Sequence, residues 1–241
     1  MPPLCIAHRG ASARAPENTL RAFACAHALG ADGIELDART TRDGVPVVFH
    51  DADLRRLTGR PGRVSDFPRA ELRDLRVGGE PIPTLKEALA LARGQMLVQI
   101  EIKKGARVAP IVAAIRSTRM ARSVIIASFE HAILRELAAL APSIPRMLIA
   151  DPVPHAGPPG DALLRRALSL GAVGVSLNHR SIDSAATVEH VHARGLRLWC
   201  WTVNDRRAVR RLSKWGVDGV IGDDPRMFRS VLQSTASAQA P

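Results

Sequence analysis

Two carboxylates lie two residues apart on an otherwise apolar run, Gly33-Ile34-Glu35-Leu36-Asp37. In an extended strand, residues two apart point to the same side. Glu35 and Asp37 therefore share one face, and Ile34 and Leu36 the other. Glu101 repeats the pattern in Val98-Gln99-Ile100-Glu101-Ile102-Lys103, where Gln99, Glu101 and Lys103 share a face. A carboxylate facing the inside of a closed sheet needs a charged or metal partner, because burying a lone charge is costly. Three such acids on neighbouring strands would repel one another. A hard divalent cation removes that conflict. An all-oxygen donor set suits magnesium or calcium, with manganese a further candidate. Zinc fits less well, since no Cys or His group has its ligand spacing. A buried ion-pair network with Lys103 and Arg9 is the alternative reading of the same residues.

Two histidines extend the chemistry. His8 ends the apolar run that starts at Leu4, and His50 ends Val45-Pro46-Val47-Val48-Phe49. Imidazoles titrate near neutrality, so a pair can act as general acid and general base. Arg9 and Lys103 supply positive charge for an anionic oxygen. A metal, two cations and an acid–base pair make up a phosphoryl site. The other histidines, His27, His131, His155, His179, His190 and His192, fit helices or loops and take no role. His190 and His192 are two apart on a helix and do not share a face.

Short β-rich runs alternate with helical patterns and would position these groups. Strands are expected at Leu4–Ala7, Gly33–Ala38, Met96–Ile102, Val124–Ala127, Arg146–Ile149, Val173–Leu177, Leu196–Val203 and Val217–Ile221. Helical stretches separate them, as at Leu85–Ala92 and Arg206–Lys214. Such alternation predicts βα units and a parallel sheet. Eight strands are the number that closes a TIM-type (β/α)8 barrel, whose C-terminal strand ends build the active site. No Gly-rich dinucleotide loop follows the first strand. The run Val45–His50 is an extra strand, joined to the second strand through Asp43-Gly44, a strong hairpin signal. Read as a two-residue turn, Asp43-Gly44 pairs Arg42 with Val45 and sets Asp37 opposite His50. The stretch from His50 to about Pro83 reads as a long connection with a short helix near Arg69–Leu75, and loops of that length are often functional.

With 241 residues and 46 % apolar composition, one barrel domain over 1–233 uses the chain, leaving a small polar tail, 234–241, expected to be disordered. The formal net charge of +11 favours anionic partners, and much of the excess is Arg on helices, as in Arg206-Arg207 and Arg210-Arg211. With 3 % aromatic residues and no Tyr, the chain is poorly equipped to stack on single-stranded bases. Cys5, Cys25 and Cys200 are far apart and read as small core residues. No signal segment or membrane-spanning run is visible, so a soluble cytoplasmic protein is expected.

The ordered motifs His8-Arg9-Gly10, Pro16-Glu17-Asn18-Thr19, Glu35-Leu36-Asp37 and Asp43-Gly44 through His50-Asp51 resemble the glycerophosphodiester phosphodiesterase family. Leu57-Thr58-Gly59, Ile82-Pro83-Thr84-Leu85, Glu101-Ile102-Lys103, Ser128-Phe129, Trp201-Thr202-Val203-Asn204 and Gly216 through Ile221 continue the resemblance over residues 4–228. It implies a TIM-type barrel and hydrolysis of glycerophosphodiesters to glycerol 3-phosphate and an alcohol. By position it implies Glu35, Asp37 and Glu101 as metal ligands and His8 and His50 as the acid–base pair. Arg9 and Lys103 would contact the phosphate, with Phe129 and Trp201 lining the pocket. Where the family carries a Thr-Asp or Thr-Asn pair before a proline, this chain has Gly222-Asp223-Asp224-Pro225, which leaves the substrate contacts at that rim open. The substrate expected is a small anionic phosphodiester. A lysophospholipase D-like enzyme is the nearest alternative. A non-catalytic barrel that binds nucleic acid or anionic surfaces is the alternative of another class.

Overall fold

The computed structural model describes residues 2–151 and 160–237. In chain order, β1 (Leu4–His8) leads through α1 (Leu20–Ala28) to β2 (Gly33–Thr40), and β3 (Pro46–Val48) folds back on β2. Then come α2 (Arg55–Thr58), a 3-10 turn (Val64–Asp66), α3 (Arg69–Leu72) and a small hairpin of β4 (Arg76–Val77) and β5 (Glu80–Pro81). Regular alternation resumes with α4 (Leu85–Ala92), β6 (Leu97–Ile102), α5 (Val108–Ser117), β7 (Val124–Ser128), α6 (His131–Leu140) and β8 (Arg146–Ala150). It ends with α7 (Asp161–Ser169), β9 (Gly174–Asn178), α8 (Ala185–His192), β10 (Arg197–Trp201), α9 (Arg206–Trp215), β11 (Gly219–Gly222) and α10 (Pro225–Ser237). The segment expected to form a tail from Ser234 overlaps the end of α10, and residues 238–241 lie outside the described residues, as does His155.

Eight strands form the ring in the order β1-β11-β10-β9-β8-β7-β6-β2, and β1 pairs with β2 to close it. All eight are parallel, and β3 pairs antiparallel with β2 outside the ring. This is a TIM-type barrel with one extra strand. Outward-facing residues of the ring, such as Ile34, Leu36, Val98 and Ile100, are buried under the helices. Ile6, Met147, Ile149, Trp199 and Ile221 fill the inside. Burial on both sides explains why the strands read as nearly continuous apolar runs. The helices start where a side chain satisfies their free N–H groups. Thr19 accepts from Ala22 N, Asp205 from Ala208 N, and Thr84 forms a capping box with Glu87.

The hairpin departs from the expected register. Ala38 pairs with Val48 and Arg39 with Val47, so the loop has three residues, Arg42-Asp43-Gly44, rather than two. The Thr41 hydroxyl accepts from Val45 N and donates to Asp43, which widens the turn. Gly44 takes the left-handed conformation that such a loop needs, at φ 84°. Asp37 therefore lies opposite Phe49, whose N–H donates to the Asp37 carbonyl, and His50 lies one residue beyond.

The long connection after His50 is compact. Val47, Phe49, Leu54, Val64, Leu72, Val77 and Ile82 form a small apolar cluster of its own. Phe49 is 1 % exposed, so the cluster anchors the residue beside His50. Phe49→Ala should cost about 3–5 kcal/mol of stability, read as a drop in the urea midpoint. An unchanged midpoint would show that the cluster does not hold the end of β3.

Candidate active site

β2 and β6 pair Asp37 with Glu101, and β1 and β2 pair His8 with Glu35. Three adjacent strands thus bring one carboxylate or imidazole after another to the C-terminal end of the ring. Ligand oxygens of Glu35, Asp37 and Glu101 all lie within 4.8 Å of one another. Glu35 and Asp37 are 5 % and 1 % exposed. Lys103 Nζ lies 2.8 Å from Asp37 Oδ1 and 2.5 Å from Glu101 Oε1. Arg9 Nε is 3.4 Å from Asp37 Oδ2. Glu35 receives only the Arg9 backbone N–H, at 3.0 Å, and no cationic side chain among the described residues pairs with it.

The charge balance follows. Burial resists the charge on Asp37, but Lys103 and Arg9 outweigh it and hold that carboxyl below its usual range. Burial pushes Glu35 well above the usual carboxylate range, and the neighbouring Asp37 adds to the rise. Burial likewise raises Glu101, against the pull of Lys103. The ion-pair reading therefore covers two acids and leaves the third short of positive charge. Buried carboxylate oxygens this close, one of them lacking a cationic partner, fit a hard divalent cation.

The loop before α1 supports this cluster. Asn18 Nδ2 donates to Asp37 Oδ2 at 2.7 Å, and Asp37 N donates back to Asn18 Oδ1 at 3.2 Å. Asn18 adopts the left-handed conformation at φ 59°, which Asn tolerates better than most residues. Arg9 Nη1 donates to Glu17 Oε1 at 2.9 Å, and Arg56 of α2 donates to the same oxygen at 2.9 Å.

Both histidines are tied through Nδ1 to a carboxylate. His50 Nδ1 lies 2.6 Å from Asp51 Oδ1, and Asp51 accepts from Arg56 Nε at 2.5 Å. His8 Nδ1 lies 2.7 Å from Asp223 Oδ1. Ser12 Oγ donates to that same oxygen at 3.1 Å, and Asn204 Nδ2 donates to Asp223 Oδ2. A carboxylate on Nδ1 fixes the tautomer and leaves Nε2 for exchange with a substrate. The two rings nevertheless titrate in opposite directions. Burial dominates at His50 and lowers its pKa, helped by Lys103 and Arg9. At His8 burial is outweighed by the Asp223 hydrogen bond and the charge of Glu35, and the pKa rises.

These groups line one cavity of about 200 Å³. His8, Arg9, Glu35, His50, Glu101 and Lys103 form its polar side, while Phe129, Ile149, Trp201 and Ile221 form an apolar one. Phe129 and Trp201 meet edge to face, 5.9 Å between centroids and 79° between planes. Trp201 Nε1 donates to Ser176 O at 3.1 Å, while Phe129 is 43 % exposed at the lip. Eight of the nine residues singled out from sequence line this cavity directly, and the ninth, Asp37, belongs to the adjoining carboxylate cluster.

A scan against family models matches residues 8–227 to the glycerophosphoryl diester phosphodiesterase family. The chain belongs to that family. It is an enzyme, a phosphoric diester hydrolase of the glycerophosphodiester class. A glycerophosphodiester phosphodiesterase of Caldanaerobacter subterraneus subsp. tengcongensis is 38 % identical over 97 % of this chain and 99 % of its own. Among solved structures, an Oleispira antarctica phosphodiesterase in complex with the product sn-glycerol-3-phosphate superposes with a TM-score of 0.85 at 28 % identity, over 96 % of this chain and 97 % of that one. A glycerophosphodiester phosphodiesterase of Agrobacterium tumefaciens superposes with a TM-score of 0.83 at 29 % identity, over 95 % and 100 %.

The rim that departs from the family pattern has a local cause. A Cβ on Gly222 would lie 2.4 Å from the Val203 carbonyl oxygen, so this backbone has no room for a Thr there. Asp224 does not add charge to the cavity. It pairs with Arg14 at 2.8 Å and accepts from Arg226 N at the start of α10. Asp223, Asp51, Glu17, Asn18 and Arg56 are the supporting residues; all but Arg56 fall within motifs read in the sequence, where none of them takes a role. The adjacency His50-Asp51 was a usable signal, whereas nothing local marks Asp223 as the partner of His8. Asp223→Asn should lower the pKa of the His8 ring, since burial then prevails, and should cut turnover by roughly 10–100-fold. An NMR titration of the ring checks this, and an unmoved pKa would remove Asp223 as its partner.

Proposed function

We propose that this chain hydrolyses small glycerophosphodiesters to glycerol 3-phosphate and an alcohol. The observation that carries the reading is a three-carboxylate cluster at one cavity, two of its acids lining it together with two histidines, each anchored through Nδ1. Glu35, Asp37 and Glu101 would hold a divalent cation, magnesium or calcium, with manganese a further candidate. Such an ion, when bound, supplies positive charge that polarises the phosphodiester oxygens. Arg9 and Lys103 bind the phosphoryl oxygens and hold the diester against the histidines. Phe129 and Trp201 contact the organic part. A cavity of about 200 Å³ favours a small diester over one that carries an acyl chain. We take residues 1–233 as one catalytic domain.

His50, with its lowered pKa, is suited to accept the proton of the attacking hydroxyl. His8, with its raised pKa, is suited to protonate the leaving alkoxide. The nucleophile is either water or the glycerol 2-hydroxyl. In the second case a cyclic phosphate forms, and water then opens it with the two histidines in reversed roles. Either route consumes one water and releases glycerol 3-phosphate and the alcohol.

The first test is release of glycerol 3-phosphate from glycerophosphocholine in EDTA, then with magnesium, calcium or manganese restored. Release should require metal. Glu35→Gln should weaken metal binding in a calorimeter, and His8→Ala or His50→Ala should cost on the order of a hundredfold or more in kcat. Undiminished release in EDTA would refute the metal reading. A second test is the pH dependence of kcat/KM. The base must be neutral and the acid protonated, so the profile should be a bell. Its rising limb would belong to His50, below the usual histidine value, and its falling limb to His8, above it. A flat profile across neutrality would remove the pair from the mechanism.

A further inference from the structure

The cavity floor contains two uncharged polar side chains that the chemistry above does not use. Gln99 is 1 % exposed and pairs with Glu35 in the strand register. Among the described residues, its amide has one hydrogen-bond partner, the soft sulfur of Met147, 4.0 Å from Nε2. Ser176 is also 1 % exposed, and its Oγ has no hydrogen-bond partner among the described residues. Both residues line the cavity. The apolar cluster that fills the barrel here, with Ile6, Met147, Ile149, Trp199 and Ile221, provides only the Met147 sulfur as a weak partner. The Ser176 carbonyl is occupied by Trp201 Nε1, which holds this part of β9 against the aromatic wall.

Buried polar groups are nearly always satisfied, and one left unsatisfied costs about 1–3 kcal/mol. A hydroxyl and an amide so placed can each donate and accept. They complement a neutral ligand group that also does both, which is an alcohol. They offer nothing to an anion that Arg9 and Lys103 do not supply better. The cavity thus divides its work: cations and acids at the strand ends handle the phosphodiester, and a neutral polar floor handles hydroxyl groups.

We propose that Ser176 and Gln99 recognise the terminal hydroxyl of the glycerol moiety, the one remote from the phosphate, and set the preference for glycerol esters over esters of simpler alcohols. The inference rests on the proposed reaction for its biological meaning, but binding tests it without turnover. A site built to hydrogen-bond a hydroxyl rejects the analogue that lacks it, because its own polar groups are then left unpaired.

The experiment compares glycerol 3-phosphate with propane-1,2-diol 1-phosphate, which keeps the 2-hydroxyl and lacks the terminal one. Affinities are measured by calorimetry with the metal-loaded wild type, Ser176→Ala and Gln99→Met. The wild type should prefer glycerol 3-phosphate by about tenfold or more, and each variant should lose most of that preference while keeping its affinity for the deoxy ligand. That retained affinity also shows that the variant is folded. Steady-state kinetics on glycerophosphocholine and its deoxy analogue form the second arm, where selectivity in kcat/KM should collapse in the same way. Equal affinity of the wild type for the two ligands would overturn the proposal. So would a loss in the variants that is the same for both ligands, which would mark a packing role. If the wild type hydrolyses neither diester but keeps its binding preference, the proposed reaction fails and the hydroxyl site stands.

Discussion

The site is organised around a repulsion. Glu35, Asp37 and Glu101 bring like charges together in a space nearly closed to water, where charge is hardest to sustain. Lys103 and Arg9 relieve part of that repulsion, but they reach Asp37 and Glu101 more fully than Glu35. The parallel register enforces the arrangement, since adjacent strands with inward side chains at the same height must stack them. The inner apolar packing below and the helical layer outside keep the strands from spreading apart. Stability of the fold and tension in the site are two sides of the same geometry.

Around this cluster the chain builds a second ring of fixed charges. Starting at His50, contacts run through Asp51, Arg56 and Glu17 to Arg9, and from Arg9 back to Asp37. Three of these residues, His50, Asp51 and Arg56, belong to the segment between β3 and α4. That segment is bound to the barrel by its own small core and by this chain of pairs. It supplies the means by which one histidine is oriented.

Most of the architecture was legible from periodicity. All eight ring strands fall where alternating apolar runs placed them, because parallel strands buried on both faces leave a strong apolar signature. The acid pairs were legible because a carboxylate at an inward position violates that signature. The hairpin register was not. Asp43-Gly44 fits a two-residue turn as well as a three-residue one, and the Thr41 hydroxyl decided between them by bonding Val45 N. A slip of one residue reverses which face a strand residue presents. His50 still meets the carboxylates because it lies past the paired part of β3, held there by the burial of Phe49. Asp223 was illegible for another reason. Its role comes from the closure of the ring, which brings β11 beside β1.

That closure bears on when the protein becomes active. His8 leaves the ribosome well before its partner Asp223, which follows 215 positions later. Asn204, which holds Asp223 from the other side, lies in the loop after β10 and is likewise made long after His8. An unfinished chain can already contain every carboxylate of the cluster and both imidazoles, yet the ring of His8 has nothing to hold it. Competence therefore arrives once β11 closes the ring, so that completion of the barrel and readiness of the site are one event during biosynthesis.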